Sequence, residues 1–175
     1  MSHADSGAPR SLGCAVLTVS YSRTPADDRS GNYLVEALEG AGHTVADRRI
    51  LPDDRAGLQA MLAAWVAEES VQAVIATGGT GLTGRDVTPE AAEALITKPI
   101  PGFGELFRWL SFEEIGPSTI QSRALAGLAG DTLLFCLPGS SGGCRLAMER
   151  IILPQLDSRT RPCNLADLMP RFGES

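Results

Sequence analysis

Behind a short apolar run stand five residues, Thr77-Gly78-Gly79-Thr80-Gly81, whose types and spacing suit an anion. Glycine lets a backbone turn with positive φ and bring its N–H groups close to a bound oxygen, and threonine hydroxyls add donors. Asp86 lies just beyond, ahead of Thr88-Pro89-Glu90, which reads as a helix start with a capping hydroxyl, proline at the first position and an acid in the first turn. Asp53 follows another apolar run, in Pro52-Asp53-Asp54. One or two carboxylates beside phosphate oxygens are the usual protein share of a Mg²⁺ site, so Asp53 and Asp86 are the candidate metal pair. Taken singly, Asp86 reads equally as a turn residue, and Asp53 or Asp54 as the cap of the next helix. Lys98 is the only lysine among 15 Lys+Arg. An anion would therefore be held by backbone N–H groups, hydroxyls, arginine or metal, with Arg23, Arg85 and Arg123 as the candidate cations.

Two familiar phosphate motifs do not apply. Gly79-x-Gly81-x-x-Gly84 has the letters of a dinucleotide fingerprint, but it follows the third apolar run and its helix starts only at Thr88. A P-loop needs Gly-Lys-Ser/Thr, and the loop has no lysine.

The elements that must position these residues follow from the apolar pattern. Cys14–Ser20, Val71–Thr77 and Thr132–Leu137 are short continuous apolar runs, the pattern of strands buried on both faces. His43–Leu51 alternates with Asp47 and Arg49 and reads as a more exposed strand near an edge. Tyr33, Leu34, Ala37, Leu38 and Ala41 share helical spacing, with Ser30 as N-cap and Gly42 past the end. Leu58, Met61, Leu62, Trp65 and Val66 form a second helical stripe; Phe103 to Leu110 and Cys144 to Ile152 form later ones. Strands alternating with helices predict an α/β sandwich with a mainly parallel sheet, whose ligands bind beyond the carboxyl ends of the strands. Ser20, Asp53, the Thr77 loop and Pro138-Gly139-Ser140 all follow such ends, so one rim gathers them. Ser122 and Arg123 are the remaining polar candidates, and Ser140 reads equally as a plain N-cap.

The 175 residues fit one domain, expected over residues 12–165 between a polar tail at 1–11 and a C-terminal tail at 166–175. A net charge of -6 gives the chain as a whole no attraction to nucleic acid or anionic membrane. No apolar run reaches the ~20 residues that span a bilayer, and the first ten residues lack the apolar core of a signal peptide, so a cytoplasmic location is expected. Cys14, Cys136, Cys144 and Cys163 show no metal spacing, and Cys14 and Cys136 read as core residues.

The ordered motifs resemble a known family. Thr77-Gly-Gly-Thr-Gly81 followed by Arg85-Asp-Val-Thr-Pro-Glu-Ala91 looks like the central motif of molybdopterin-binding, adenylyltransferase-type proteins. Pro101–Glu105, Ser111–Gly116, Gln121–Ala124 and Leu137–Ser140 match in order. Pro154–Asp157 and Arg159–Asn164 are similar to the bacterial branch called molybdenum cofactor biosynthesis protein B. The resemblance implies a three-layer αβα sandwich that assembles as a trimer or a dimer of trimers. It also implies pterin dithiolene binding at the glycine-rich loop and transfer of AMP from Mg-ATP to the terminal phosphate of molybdopterin. Asp53 and Asp86 match the two aspartates important in active members. Ser20, Thr77 to Gly81, Ser122, Arg123 and Pro138 to Ser140 are the expected ligand contacts, and other enzymes of molybdenum cofactor synthesis are further expected partners. The alternative is a non-catalytic molybdopterin carrier or scaffold of the same fold.

Overall fold

The computed structural model describes residues 7–174. Six strands form one sheet in the order β2-β1-β3-β6-β5-β4, with β1 at Gly13–Val19, β2 at Thr44–Leu51, β3 at Ala73–Thr77, β4 at Lys98–Pro99, β5 at Leu125–Ala129 and β6 at Thr132–Leu137. Strands β2, β1, β3 and β6 pair in parallel; β5 pairs antiparallel with β6, and β4 antiparallel with β5. This is the mainly parallel sheet expected. β2 lies at one edge, which explains its alternating exposure.

Strand period decides the two cores. Cys14 and Val16 of β1 face one cluster with α1 (Arg29–Gly40), α4 (Pro101–Ile115) and α5 (Ser141–Ala147), built on Leu34, Leu38, Phe103, Phe107 and Cys144. Ala15, Leu17 and Val19 face the other, with α2 (Arg55–Val66) and α3 (Thr88–Glu93), built on Leu58, Leu62, Trp65, Ala91 and Ala92. The result is three layers. Truncating a fully buried side chain such as Leu58 to alanine costs about 2–5 kcal/mol. Cys14 and Cys136 are core residues, and burial pushes each thiol up to about 12.

Two predicted caps are placed differently. Asp28, not Ser30, caps α1: its carboxylate accepts from Gly31 N at 2.9 Å, while the Ser30 hydroxyl donates to Gly139 O at 2.9 Å. Thr88 is the first residue of α3 and makes no cap; its hydroxyl donates instead to Gly78 O at 2.8 Å. Asp54 does cap α2 through Gly57 N, and Gly42 follows α1 with φ 90.

The sequence reading did not include β4 and β5. Its neglected signal is Gly130-Asp131 between two apolar runs, the two-residue connection of a hairpin. After α6 (Leu153–Leu156), α7 (Leu165–Leu168) runs into the segment expected as a C-terminal tail, where Ala166 is fully buried. Of the expected N-terminal tail, residues 1–6 lie outside the described residues, and Arg10 donates to Ala166 O at 3.0 Å. No helix among the described residues is long and apolar enough to cross a membrane.

Candidate functional site

A cleft of about 690 Å³ opens at the carboxyl ends of β1, β3 and β6. β1 and β3 are neighbours whose following connections run to opposite sides, which leaves a crevice between their ends. Ser20, Thr77 to Gly81, Asp86, Ser122 and Pro138 to Ser140 all line it. Of the predicted site residues, Asp53, Arg85 and Arg123 do not.

The glycine loop is pinned through its carbonyls. Gly78 and Gly79 adopt φ 99 and 67, in the left-handed region. The Thr88 hydroxyl donates to Gly78 O at 2.8 Å, and Thr88 N–H donates to Gly79 O at 3.1 Å. In a trans peptide the C=O and the following N–H point opposite ways. Fixing those two carbonyls therefore turns the N–H groups of Gly79 and Thr80 the other way, and neither meets a protein acceptor among the described residues. Consecutive free N–H groups of this kind form an anion-binding nest. The second wall is tied to the first: Thr77 Oγ1 donates to Pro138 O at 2.8 Å, and Gly78 N donates to Leu137 O at 3.0 Å.

Asp86 closes the loop. Its Oδ2 accepts from Thr83 Oγ1 at 2.7 Å and from Thr83 N at 2.9 Å, and the Thr83 hydroxyl is the first cause holding its carboxyl below the ordinary range. A turn role and a site role thus coincide in one residue. Asp53 sits behind the loop: a Cβ on Gly79 would lie 2.7 Å from Asp53 Oδ1. Burial first, and then the charge of Asp86, push the Asp53 carboxyl above its ordinary range. The shared rim therefore holds with an offset, Asp86 in the cleft wall and Asp53 one layer back. This paired donor set suits a Mg²⁺ ion that brings phosphate oxygens and water for its other positions.

The arginines separate. Arg23 and Arg29 line the cleft. Arg85 lies over the Tyr21 ring, 5.7 Å from its centroid. Arg123 turns away into the loop, with Nε on Gly81 O and Nη2 on Asp86 O, each at 2.8 Å, and the Glu90 carboxylate beside it. That guanidinium holds the Glu90 carboxyl below its usual range.

Several lining residues escaped the sequence reading: Thr18, Asp28, Arg29, Ser118, Gln121 and Ser141. Ser118 and Gln121 belong to a 3-10 turn over Gly116–Gln121, a geometry without the apolar period that marks helices. Asp28 carried a signal, an acid three residues before Gly31, which the more familiar serine obscured. The Ser122 hydroxyl is buried with no partner among the described residues, leaving its hydrogen-bonding capacity unspent at the cleft.

Residues 15–158 match the family described as "Probable molybdopterin binding domain". Molybdenum cofactor biosynthesis protein B of Escherichia coli (strain K12) is 55% identical over 150 residues, which cover 86% of this chain and 88% of that protein. The protein of the same name from Bacillus subtilis (strain 168) is 46% identical over 150 residues, 85% of this chain and 88% of that one. A crystal structure of a molybdenum cofactor biosynthesis protein B superimposes with a TM-score of 0.87 at 42% identity, covering 97% of this chain and 100% of that chain. The tungsten cofactor synthesizing protein of Pyrococcus furiosus superimposes at 0.71 with 35% identity, over 83% of this chain and 92% of that one. The chain therefore belongs to the molybdopterin-binding-domain family, together with the molybdenum cofactor biosynthesis B proteins.

Proposed function

We propose that this protein acts in molybdenum cofactor biosynthesis by adenylylating molybdopterin with Mg-ATP. One observation carries the reading: Asp86 and the free N–H groups of Gly79 and Thr80 meet at one cleft, with Asp53 directly behind. A terminal phosphate oxygen of molybdopterin attacks the α-phosphorus of ATP; a new P–O bond forms, the bond to the bridging oxygen breaks, and pyrophosphate leaves with the electron pair. Such a transfer asks the protein mainly for positioning and charge neutralisation. The nest holds an anionic group, Thr80, Ser20 and Ser122 add hydrogen bonds, and Arg23 and Arg29 balance phosphate charge. Asp86 would hold Mg²⁺ directly, and Asp53 the metal or its waters. When bound, the ion supplies neutralisation of the phosphate oxygens.

The second reading, a molybdopterin carrier, is favoured by one fact: Asp53 does not line the cleft. Purified protein incubated with molybdopterin and α-labelled ATP separates the two. Mg-dependent label on the pterin with pyrophosphate release supports the enzyme, and pterin binding without transfer supports the carrier.

Self-association belongs to the same proposal. Leu106, Trp109, Phe112 and Ile115 on α4, with Ile120 beyond it, are between 40% and 78% exposed, an apolar surface that a trimer or dimer of trimers would cover. Sedimentation should give a trimer or hexamer for the native chain and smaller species for Trp109→Glu.

A further inference from the structure

We infer that Arg123, paired with Glu90, is a positioning residue that fixes the orientation of the glycine loop and Asp86 against the cleft wall at Ser118–Ser122. The inference rests on the adenylylation reading and deepens it.

Arg123 directly follows the wall residues Gln121 and Ser122, so its backbone moves with them. Its N–H donates to Thr80 O at 3.2 Å, which by the planarity of the peptide sets the direction of Gly81 N–H. Its side chain then reaches both ends of the Gly81–Asp86 segment, with Nε on Gly81 O and Nη2 on Asp86 O. Glu90, on α3, takes the remaining face of the guanidinium through Nη1 and Nη2. Thr88, two residues earlier on α3, pins the preceding part of the loop. One helix and one arginine thus hold every carbonyl from Gly78 to Gly81.

Charge and geometry both argue against a phosphate role for this group. A guanidinium that receives phosphate keeps an open fork of donors. Here all three nitrogens are already engaged, and Glu90 neutralises the charge. Lysine, a single point of charge on a flexible stem, could not span two carbonyls and a carboxylate at once. Neither Arg123 nor Glu90 lines the cleft.

The test uses the full chain with Arg123→Ala, Arg123→Lys and Glu90→Gln, the last a near-isosteric change that leaves both carbonyl bonds available. The kcat for AMP transfer should fall about 10–100-fold in both Arg123 variants and several-fold in Glu90→Gln, with KM for ATP moving less than about threefold. Amide hydrogen exchange at Gly79, Thr80 and Gly81 should quicken in each variant, while the core amides of β1 and β3 keep their protection. A tenfold rise in KM for ATP with kcat retained would overturn the inference by making Arg123 a phosphate contact. A lower Tm with kcat and the loop's amide exchange unmoved would overturn it equally, by leaving only a structural role. Should the native chain transfer no AMP, the adenylylation reading fails on its own. Molybdopterin affinity, read by fluorescence titration, then decides the positioning: a fivefold or greater loss in the Arg123 variants supports it, and unchanged affinity with unmoved amide exchange in the loop refutes it.

Discussion

Asp53 and Asp86 abut two glycines of one loop, and their carboxyls are displaced in opposite directions. A Cβ on Gly79 would lie 2.7 Å from Asp53 Oδ1, and one on Gly81 would lie 2.8 Å from Asp86 Oδ2. Asp53 is raised by burial and by Asp86, and Asp86 is lowered chiefly by the Thr83 hydroxyl. Asp86, the lowered member, lines the cleft, and Asp53 does not. On the adenylylation proposal, Asp86 would therefore meet the phosphate–metal group directly, and Asp53 would add a supporting charge from one layer back.

Asp86→Asn keeps the side-chain shape and the possibility of accepting from Thr83, so the fold should persist with little change in Tm. Transfer of AMP should fall by at least about 100-fold, the scale of losing one preorganised electrostatic group. Circular dichroism and single-turnover transfer from α-labelled ATP check the two halves. Near-native turnover would remove Asp86 from the mechanism.

The Asp53 shift has a definite sign in stability. A carboxyl raised in the folded state binds its proton more tightly folded than unfolded. Its contribution is fully favourable below the unfolded value, near 3.9, and is lost as pH rises through the folded value. At pH 7 the ionised group therefore costs stability, and Asp53→Asn should raise Tm by about 1–3 °C, the scale of a solvent-screened interaction in a domain of this size. The gain should vanish as pH falls toward 3–4. In Asp86→Asn the Asp53 titration should move down, because one of its two raising causes is gone.

The parallel half of the sheet was legible because Cys14–Ser20, Val71–Thr77 and Thr132–Leu137 are continuous apolar runs, and strands covered on both faces need nothing else. β5 was not: Leu-Ala-Gly-Leu-Ala carries weak strand preference, and its pairing with β6 depends on the neighbouring chain. The glycine loop and Asp86 were readable as local spacing. The destination of Arg123 was not, since its acceptors Gly81 O and Asp86 O are backbone atoms about 40 positions away, visible only after folding. Asp53 sat between these cases, correct in neighbourhood and displaced by one layer.

Glycine identity in the loop separates by position. Alanine at Gly79 meets a left-handed φ of 67, with Thr88 Oγ1 at 2.3 Å and Asp53 Oδ1 at 2.7 Å from its Cβ. Gly79→Ala should cost about 1–3 kcal/mol in urea unfolding and abolish measurable molybdopterin binding, because the Thr88 pin moves. Gly84 has open space around it and an ordinary φ. Gly84→Ala should leave both measurements within error, and a matching loss there would undo this account of the loop.

The N-terminus of α1 is set by a charge taken almost wholly out of water. Asp28 has 2% of its side chain exposed and accepts from Arg48 Nη2 at 2.8 Å, Thr18 Oγ1 at 2.7 Å and Gly31 N at 2.9 Å. Such a pair is costly to break from one side, because the remaining charge stays desolvated. Arg48 is 24% exposed, which lets water absorb part of that cost. Asp28→Ala should therefore destabilise the chain by about 3 kcal/mol, near the lower bound for a buried pair. A double-mutant cycle with Arg48→Met should return a coupling above about 1 kcal/mol. The exposed i,i+4 pair Arg145–Glu149 should return only about 0.3–0.5 kcal/mol in the same assay. The same loss should reach the cleft, because Ser30, two residues into α1 from that cap, holds Gly139 O. Asp28→Ala should weaken molybdopterin binding even at temperatures where the chain stays folded. Equal coupling in the two cycles would mean that Asp28 caps a helix and does nothing more.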